Sequence, residues 1–141
     1  MSMKIITPNL TEACFLTDTK ITKNPNKEEI KKLLCKLIDL GCKNAIVTGI
    51  VNQDQVENYY INQDKDIEVI TNKFYNHTIH GAGDVFSSCC FAAYLNNKSI
   101  KESIKFATCY LDEAIKTTIK EVDFENKGIV FEPFLNKLME V

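Results

Sequence analysis

The chain has 141 residues, 45% of them hydrophobic and 26% charged, with a net charge of −2. That is the length and balance of about one soluble domain, long enough to bury a sizeable core. The charge gives no electrostatic case for nucleic acid or an acidic membrane as partner, and no run of roughly 18 apolar residues exists to span a bilayer. Residues 1–3 read as start or cloning residues, and 4–141 as one structural unit. Lys4-Ile5-Ile6-Thr7 is a β-branched run ending at Pro8, which reads as a short buried strand. Leu10 to Leu16 is predicted as a short helix with Asn9 as N-cap and Glu12 three residues on, a pattern that also fits a capping box. Asn24-Pro25-Asn26 is a turn. Lys27 to Leu40 carries Ile30, Leu33, Leu34, Leu37 and Ile38 at helical spacing, with Gly41 closing the helix.

Asn44 to Val51 reads NAIVTGIV, a buried strand with little alternation. Gln55 to Ile61 and Asp66 to Phe74 are further strands, and the polar link Asn62 to Lys65 predicts a hairpin. Gly83 to Leu95 is apolar on every face, which predicts a helix buried on most sides. Ser99 to Ile119 is a long helix with Ser99 and Glu102 in capping-box positions. Glu132-Pro133 opens a last helix. The order of elements predicts an α/β layer fold with a mixed sheet.

Six cysteines, at positions 14, 35, 42, 89, 90 and 109, form no Cys-x-x-Cys pair and no zinc spacing. They read as buried free thiols in a reducing compartment. No basic segment followed by an apolar run opens the sequence, so no secretion signal and a cytoplasmic location are expected.

Two of the five glycines stand in His80-Gly81-Ala82-Gly83-Asp84. Glycines at a helix start let backbone N–H groups approach a phosphate, and the helix dipole favours negative charge there. Asp84 beside such a site could accept a proton from an attacking hydroxyl. The other reading is a plain turn with Asp84 stabilising the dipole. All seventeen basic residues are lysine, so any anion held here must rely on backbone N–H groups, a helix N-terminus, lysine or a metal, not a guanidinium fork. Asn9 and Glu12 lie at the C-terminal end of a strand, where ligands bind in open α/β sheets. A hard oxygen pair of that kind suits Mg²⁺, often through water. Thr48-Gly49 is expected at the end of another buried strand. His77 and His80, three apart, read as loop histidines near phosphate or nucleotide rather than as metal ligands.

ITPNLTEA followed by VTG and HGAGDVFSSCCFAA resembles the ribokinase-like superfamily, and within it the pyridoxal/pyridoxamine (vitamin B6) kinases. The resemblance implies an ATP- and Mg²⁺-dependent kinase acting on the 5′ hydroxyl of a B6 vitamer. It makes Asp84 the catalytic base and the backbone of Gly81, Ala82 and Gly83 the anion hole. Asn9 and Glu12 would organise Mg²⁺ and the phosphates, and Thr7, Thr48, Gly49 and Ile79 would line the nucleotide site. Ala82 stands where the family more often has Thr. Related hydroxymethylpyrimidine kinases usually carry Cys where Asp84 stands. The resemblance covers only the C-terminal half of such a kinase, so the expected fold is half of a ribokinase-like domain, with a mixed, mostly parallel sheet and a hairpin between helices. Self-association into a homo-oligomer through an exposed sheet edge is also expected. A hydroxymethylpyrimidine or sugar kinase, or an inactive nucleotide-binding or structural fragment, are the alternatives.

Overall fold

A computed structural model describes residues 5–21, 24–62, 64–75 and 81–119. The expected helix after Pro133 lies outside the described residues, as do His77, Ile79 and His80. The elements are β1 (Ile5–Ile6), α1 (Leu10–Leu16), α2 (Lys27–Asp39), β2 (Asn44–Asn52), β3 (Gln55–Ile61), β4 (Ile67–Lys73), α3 (Ala82–Leu95) and α4 (Ile100–Ile119). The chain divides into two units. One runs to Asn52 and includes Val56–Thr71; the other holds Gln53–Gln55 and the residues from Asn72 onward.

The first unit is built on one sheet in the order β1-β2-β3-β4. β1 pairs with β2 in parallel, Ile5 opposite Asn44 and Ile6 opposite Ala45. The β2–β3 and β3–β4 links are too short for a parallel crossover, so those pairs are hairpins. The sheet is therefore mixed, with its parallel pairing at the β1 edge. The second hairpin is the expected one. Its link is organised by Asn62, whose Oδ1 accepts from the backbone N–H of Asp64 at 2.9 Å and of Asp66 at 3.1 Å. The first hairpin has no glycine and turns at Gln53, whose φ is +58°. A positive φ on glutamine leaves little composition signal, which is why the sequence did not reveal this turn.

Helices α1 and α2 cover one face of the sheet. Ile30, Leu33, Leu34 and Leu37 of α2 are buried with Ala13 of α1, Ala45, Val47 and Ile50 of β2 and Tyr59 of β3. The i, i+3, i+4, i+7 spacing puts these α2 residues on one stripe, as expected, and the lysines of the helix lie off it. Both helices start with reciprocal caps. Asn26 Oδ1 accepts from Glu29 N–H at 2.9 Å, and Glu29 Oε1 accepts from Asn26 N–H at 3.2 Å. Gly41 follows α2 with φ +108°, the left-handed residue that ends a helix.

In the second unit α3 packs along α4. Here the expected burial of α3 on most sides is corrected. Phe86, Cys89, Cys90 and Ala93 form a buried stripe, whereas Phe91 is 41% and Leu95 73% exposed. A helix is buried only where neighbours cover it, and apolar composition alone does not say how many neighbours there are. Helix α4 begins with the predicted Ser99–Glu102 box: Ser99 Oγ accepts from Glu102 N–H at 3.1 Å, and Glu102 Oε1 from Ser99 N–H at 3.3 Å. The Ser99 hydroxyl, then its N–H, holds the Glu102 carboxyl below the usual range.

Replacing Leu37 by Ala should cost about 2–5 kcal/mol, because the site is fully buried on every side, and replacing Asn26 by Ala only about 1 kcal/mol. Urea unfolding of the two variants should show this ratio, and equal losses would mean the α2 stripe is not the core of the unit.

Candidate active site

The expected site residues fall in both units, and each group is described within its own. In the first, β1 ends at Ile6 and the chain passes through Thr7 and a buried Pro8 to Asn9. Pro8 has no N–H to give, but its carbonyl accepts from Thr48 N–H at 2.9 Å. Asn9 then forms an isolated parallel bridge with Thr48. The bridge extends the β1–β2 pairing to its last position and sets Asn9 beside Thr48.

Asn9 is also the N-cap of α1. Its Oδ1 accepts from Glu12 N–H at 2.8 Å, and Glu12 Oε1 accepts from Asn9 N–H at 3.0 Å. The capping box foreseen as one reading of Asn-x-x-Glu is thus formed. It also fixes both side chains side by side at an exposed position. The box occupies one oxygen of each and leaves Glu12 Oε2 outside it. One carboxylate and one amide do not make a closed metal cage, and no group of three or more His, Cys, Asp or Glu side chains suited to a metal occurs among the described residues. The donor set fits a Mg²⁺ ion that keeps its waters and shares phosphate ligands.

Thr48-Gly49 was expected at a strand end. The structure corrects this, since β2 continues to Asn52. Beyond Thr48 the strand loses β1 as partner and is held by β3. Gly49 has φ +74°, a conformation that favours glycine. Alternation slips here by one residue: Ala45 and Val47 face the α1–α2 core, and so does Ile50, not residue 49. That is the signature of a bulge. Asn58, 2% exposed on β3, supports it through an Oδ1 that accepts from Gly49 N–H at 3.2 Å. Thr7 is half-buried in the link after β1.

In the second unit Gly81 precedes α3 with φ +86° and ψ −4° and makes no side-chain cap. Val85 N–H is the first to bond back, to Gly81 O at 3.0 Å. The N–H groups of Ala82, Gly83 and Asp84 therefore have no intrahelical acceptor. Gly81, Gly83 and Asp84 are exposed. A Cβ added at Gly83 would meet nothing within 4 Å, so packing does not demand glycine there. What glycine provides is open access to the first-turn amides. Asp84, at the third helical position, sits where the dipole favours a negative charge.

A further cluster fastens the chain just after β4. Tyr75 Oη donates to Asp112 Oδ1 at 2.6 Å, and Asp112 Oδ2 pairs with Lys116 at 3.1 Å. The Lys73 ammonium lies 5.0 Å from the centre of the Tyr75 ring. Burial, then the Asp112 carboxylate, pushes the Tyr75 hydroxyl far above its ordinary value. Its partners are 37 residues apart in sequence, so no local pattern announced it.

All six cysteines are free, as expected. Burial of all six is not borne out: Cys35 and Cys109 are exposed, on the outer faces of α2 and α4, and Cys14 is half-buried. Burial raises Cys89 to about 11 and, with Cys89 beside it, Cys90 to about 12. Neither is a poised nucleophile.

The sequence pattern of the family described as phosphomethylpyrimidine kinase matches residues 1–128. With that match covering most of its length, the chain belongs to this family of small-molecule kinase sequences. A Staphylococcus aureus protein provisionally named a pyridoxine kinase is 31% identical over 122 residues, which are 85% of this chain and 44% of that protein. A Bacteroides thetaiotaomicron structure, provisionally named a phosphomethylpyrimidine kinase, superposes with a TM-score of 0.88 at 26% identity, over 96% of this chain and 48% of that one. The pyridoxal kinase of Staphylococcus aureus, solved with AMP-PCP and pyridoxal, gives a TM-score of 0.72 at 30% identity, over 86% of this chain and 45% of that one. The chain spans less than half the length of each, the share expected of half a ribokinase-like domain. No helix among the described residues is long and apolar enough to cross a membrane.

At pH 8 only about one Cys89 thiol in a thousand would be ionised at its raised value. A thiol-labelling time course followed by mass spectrometry should therefore mark Cys35 and Cys109 first, with Cys89 and Cys90 reacting only after denaturation. Early labelling of the pair would contradict the α3 packing.

Proposed function

We propose that this segment supplies the nucleotide and catalytic residues of an ATP- and Mg²⁺-dependent kinase for the 5′ hydroxyl of pyridoxal, pyridoxamine or pyridoxine. The observation that carries the reading is the turn at Gly81–Asp84. There a left-handed glycine is followed by three first-turn amides without intrahelical acceptors and by an exposed carboxylate. In this reading the Asp84 carboxylate accepts the proton of the substrate hydroxyl as its oxygen attacks the γ-phosphorus. The new O–P bond forms while the bond to the bridging oxygen breaks, and ADP leaves with that electron pair. The backbone of Gly81, Ala82 and Gly83 holds the oxygens of the transferring group, where negative charge accumulates. In this reading Thr7, Thr48 and Gly49 are assigned to nucleotide binding, as the resemblance implies for Ile79 too, which lies outside the described residues. Asn9 and Glu12 would hold Mg²⁺, which when bound neutralises phosphate charge. With no arginine in the chain, amides, lysine and the metal carry all of that charge within this segment.

The family description and the Bacteroides relative favour a second reading, phosphorylation of a hydroxymethylpyrimidine or its phosphate. Both readings act on an alcohol or phosphate borne by a nitrogen heteroaromatic. Asp84 supports the B6 reading, because the resembling hydroxymethylpyrimidine kinases usually carry Cys there. The chain alone is proposed to bind nucleotide without turnover.

In a protein of the relatives' length that carries this segment, Asp84→Asn should lower kcat for pyridoxal phosphorylation by about 10²–10⁴-fold, the range for losing a general base, with ADP affinity unchanged. Turnover within a few-fold of wild type would remove Asp84 from the base role. Faster turnover of hydroxymethylpyrimidine than of any B6 vitamer by the unmodified protein would select the second reading.

A further inference from the structure

We propose that Asn58 is a positioning residue for nucleotide binding, acting through the backbone of Gly49. The inference rests on the reading of Thr48-Gly49 as part of the nucleotide site.

Asn58 is a polar side chain only 2% exposed, on a strand whose next two residues are the buried tyrosines Tyr59 and Tyr60. A buried amide is costly unless its hydrogen bonds are made. Here the Oδ1 accepts from Gly49 N–H on β2 at 3.2 Å, and the Nδ2 donates to Ile70 O on β4 at 3.0 Å. One side chain thereby ties three strands together at the level of the bulge. A leucine of similar size would remove the Oδ1 that accepts from the Gly49 N–H. Burial alone therefore does not account for asparagine at 58; the bulge does.

The bulge has a location that matters. It begins at Thr48, the last residue of β2 paired to the β1 side, through the bridge to Asn9 and the bond to Pro8 O. Gly49, with φ +74°, is the first residue past that pairing and is exposed. Bulges re-aim backbone next to binding sites. The direction in which Thr48 and Gly49 present their backbone is thus set by whether Gly49 keeps its left-handed conformation, and Asn58 holds the N–H that defines it.

The test uses the 141-residue chain and ADP titration, with amide hydrogen exchange at Gly49 and a thermal melt on each variant. Asn58→Ala should weaken ADP binding about tenfold, the worth of one buried hydrogen bond, and speed exchange at Gly49. Asn52→Ala, which removes a side chain that donates to Glu57 at 3.5 Å in the nearby turn, should bind ADP as the wild type does. Asn58→Asp serves where the alanine variant fails to fold. Its protonated carboxyl has both a donor and an acceptor, and burial raises the pH at which it protonates. Its affinity relative to wild type should therefore recover between about pH 8 and about pH 6. Wild-type affinity in folded Asn58→Ala, or a ratio for Asn58→Asp that stays flat with pH, overturns the positioning role. A wild-type chain that binds no ADP overturns the nucleotide reading itself, and this role with it.

Discussion

The parallel pairing of β1 with β2 ends in a single bridge, Asn9 to Thr48, and the chemistry assigned to the first unit depends on it. β1 is only two residues long and contributes little ladder of its own. Its extension past Pro8 is what brings the start of α1 beside the middle of β2. Pro8 suits the place because its carbonyl is used and its missing N–H is not. If the bridge were lost, Asn9 and Glu12 would still cap α1, but they would no longer stand next to Thr48. The capping box sets the pair and the bridge sets where the pair is.

That arrangement bears on two readings of Asn9 and Glu12 that compete only in appearance. A capping box occupies one oxygen on each side chain. It leaves a carboxylate oxygen over, and it removes the rotamer freedom that a flexible pair would otherwise lose on meeting a cation. A cap is therefore a means of holding a hard-oxygen pair ready. The same economy applies at Gly81, where the left-handed glycine ends one segment and opens the first-turn amides of α3 at once. In a chain without arginine, such backbone donors are the groups able to surround a phosphoryl group in a fixed geometry.

Legibility in the sequence followed the range of the interaction. Helix starts at Asn9 and Ser99 were readable because a capping box is a pattern within four residues, and the same logic covers Asn26 and Glu29, whose box went unread behind the Asn24-Pro25-Asn26 turn. The α2 core stripe and its end at Gly41 were equally local. The bulge at Gly49 was not, because NAIVTGIV is apolar on both sides of the slip and shows no alternation to break. Asn58 carried no signal, since Gly49 and Ile70, which its amide bonds, lie on other strands. The Tyr75–Asp112 bond joins residues that share no motif. Composition also misled in one place: an all-apolar α3 promised burial on most sides, yet Phe91 and Leu95 are exposed. The motif residues Gly81 to Asp84 were recognisable by type, but their left-handed entry and open amides belong to backbone conformation.

The buried polar side chains sharpen the distinction between groups that stabilise and groups that position. Tyr60 has a buried hydroxyl for which no hydrogen-bond partner within bonding distance occurs among the described residues, and burial, then the neighbouring Glu68 carboxylate, pushes it up to about 12. Asn58 is different, because both ends of its amide are bonded and one of them holds the only left-handed residue of β2. A strand that needs a glycine at φ +74° spends stability to bend. A regular strand would turn Gly49 toward the α1–α2 core and Ile50 away from it, so the bend also serves the packing of Ile50. The bend falls at the residue where β1 lets go of β2, and it is there that the proposed nucleotide reading places Thr48 and Gly49.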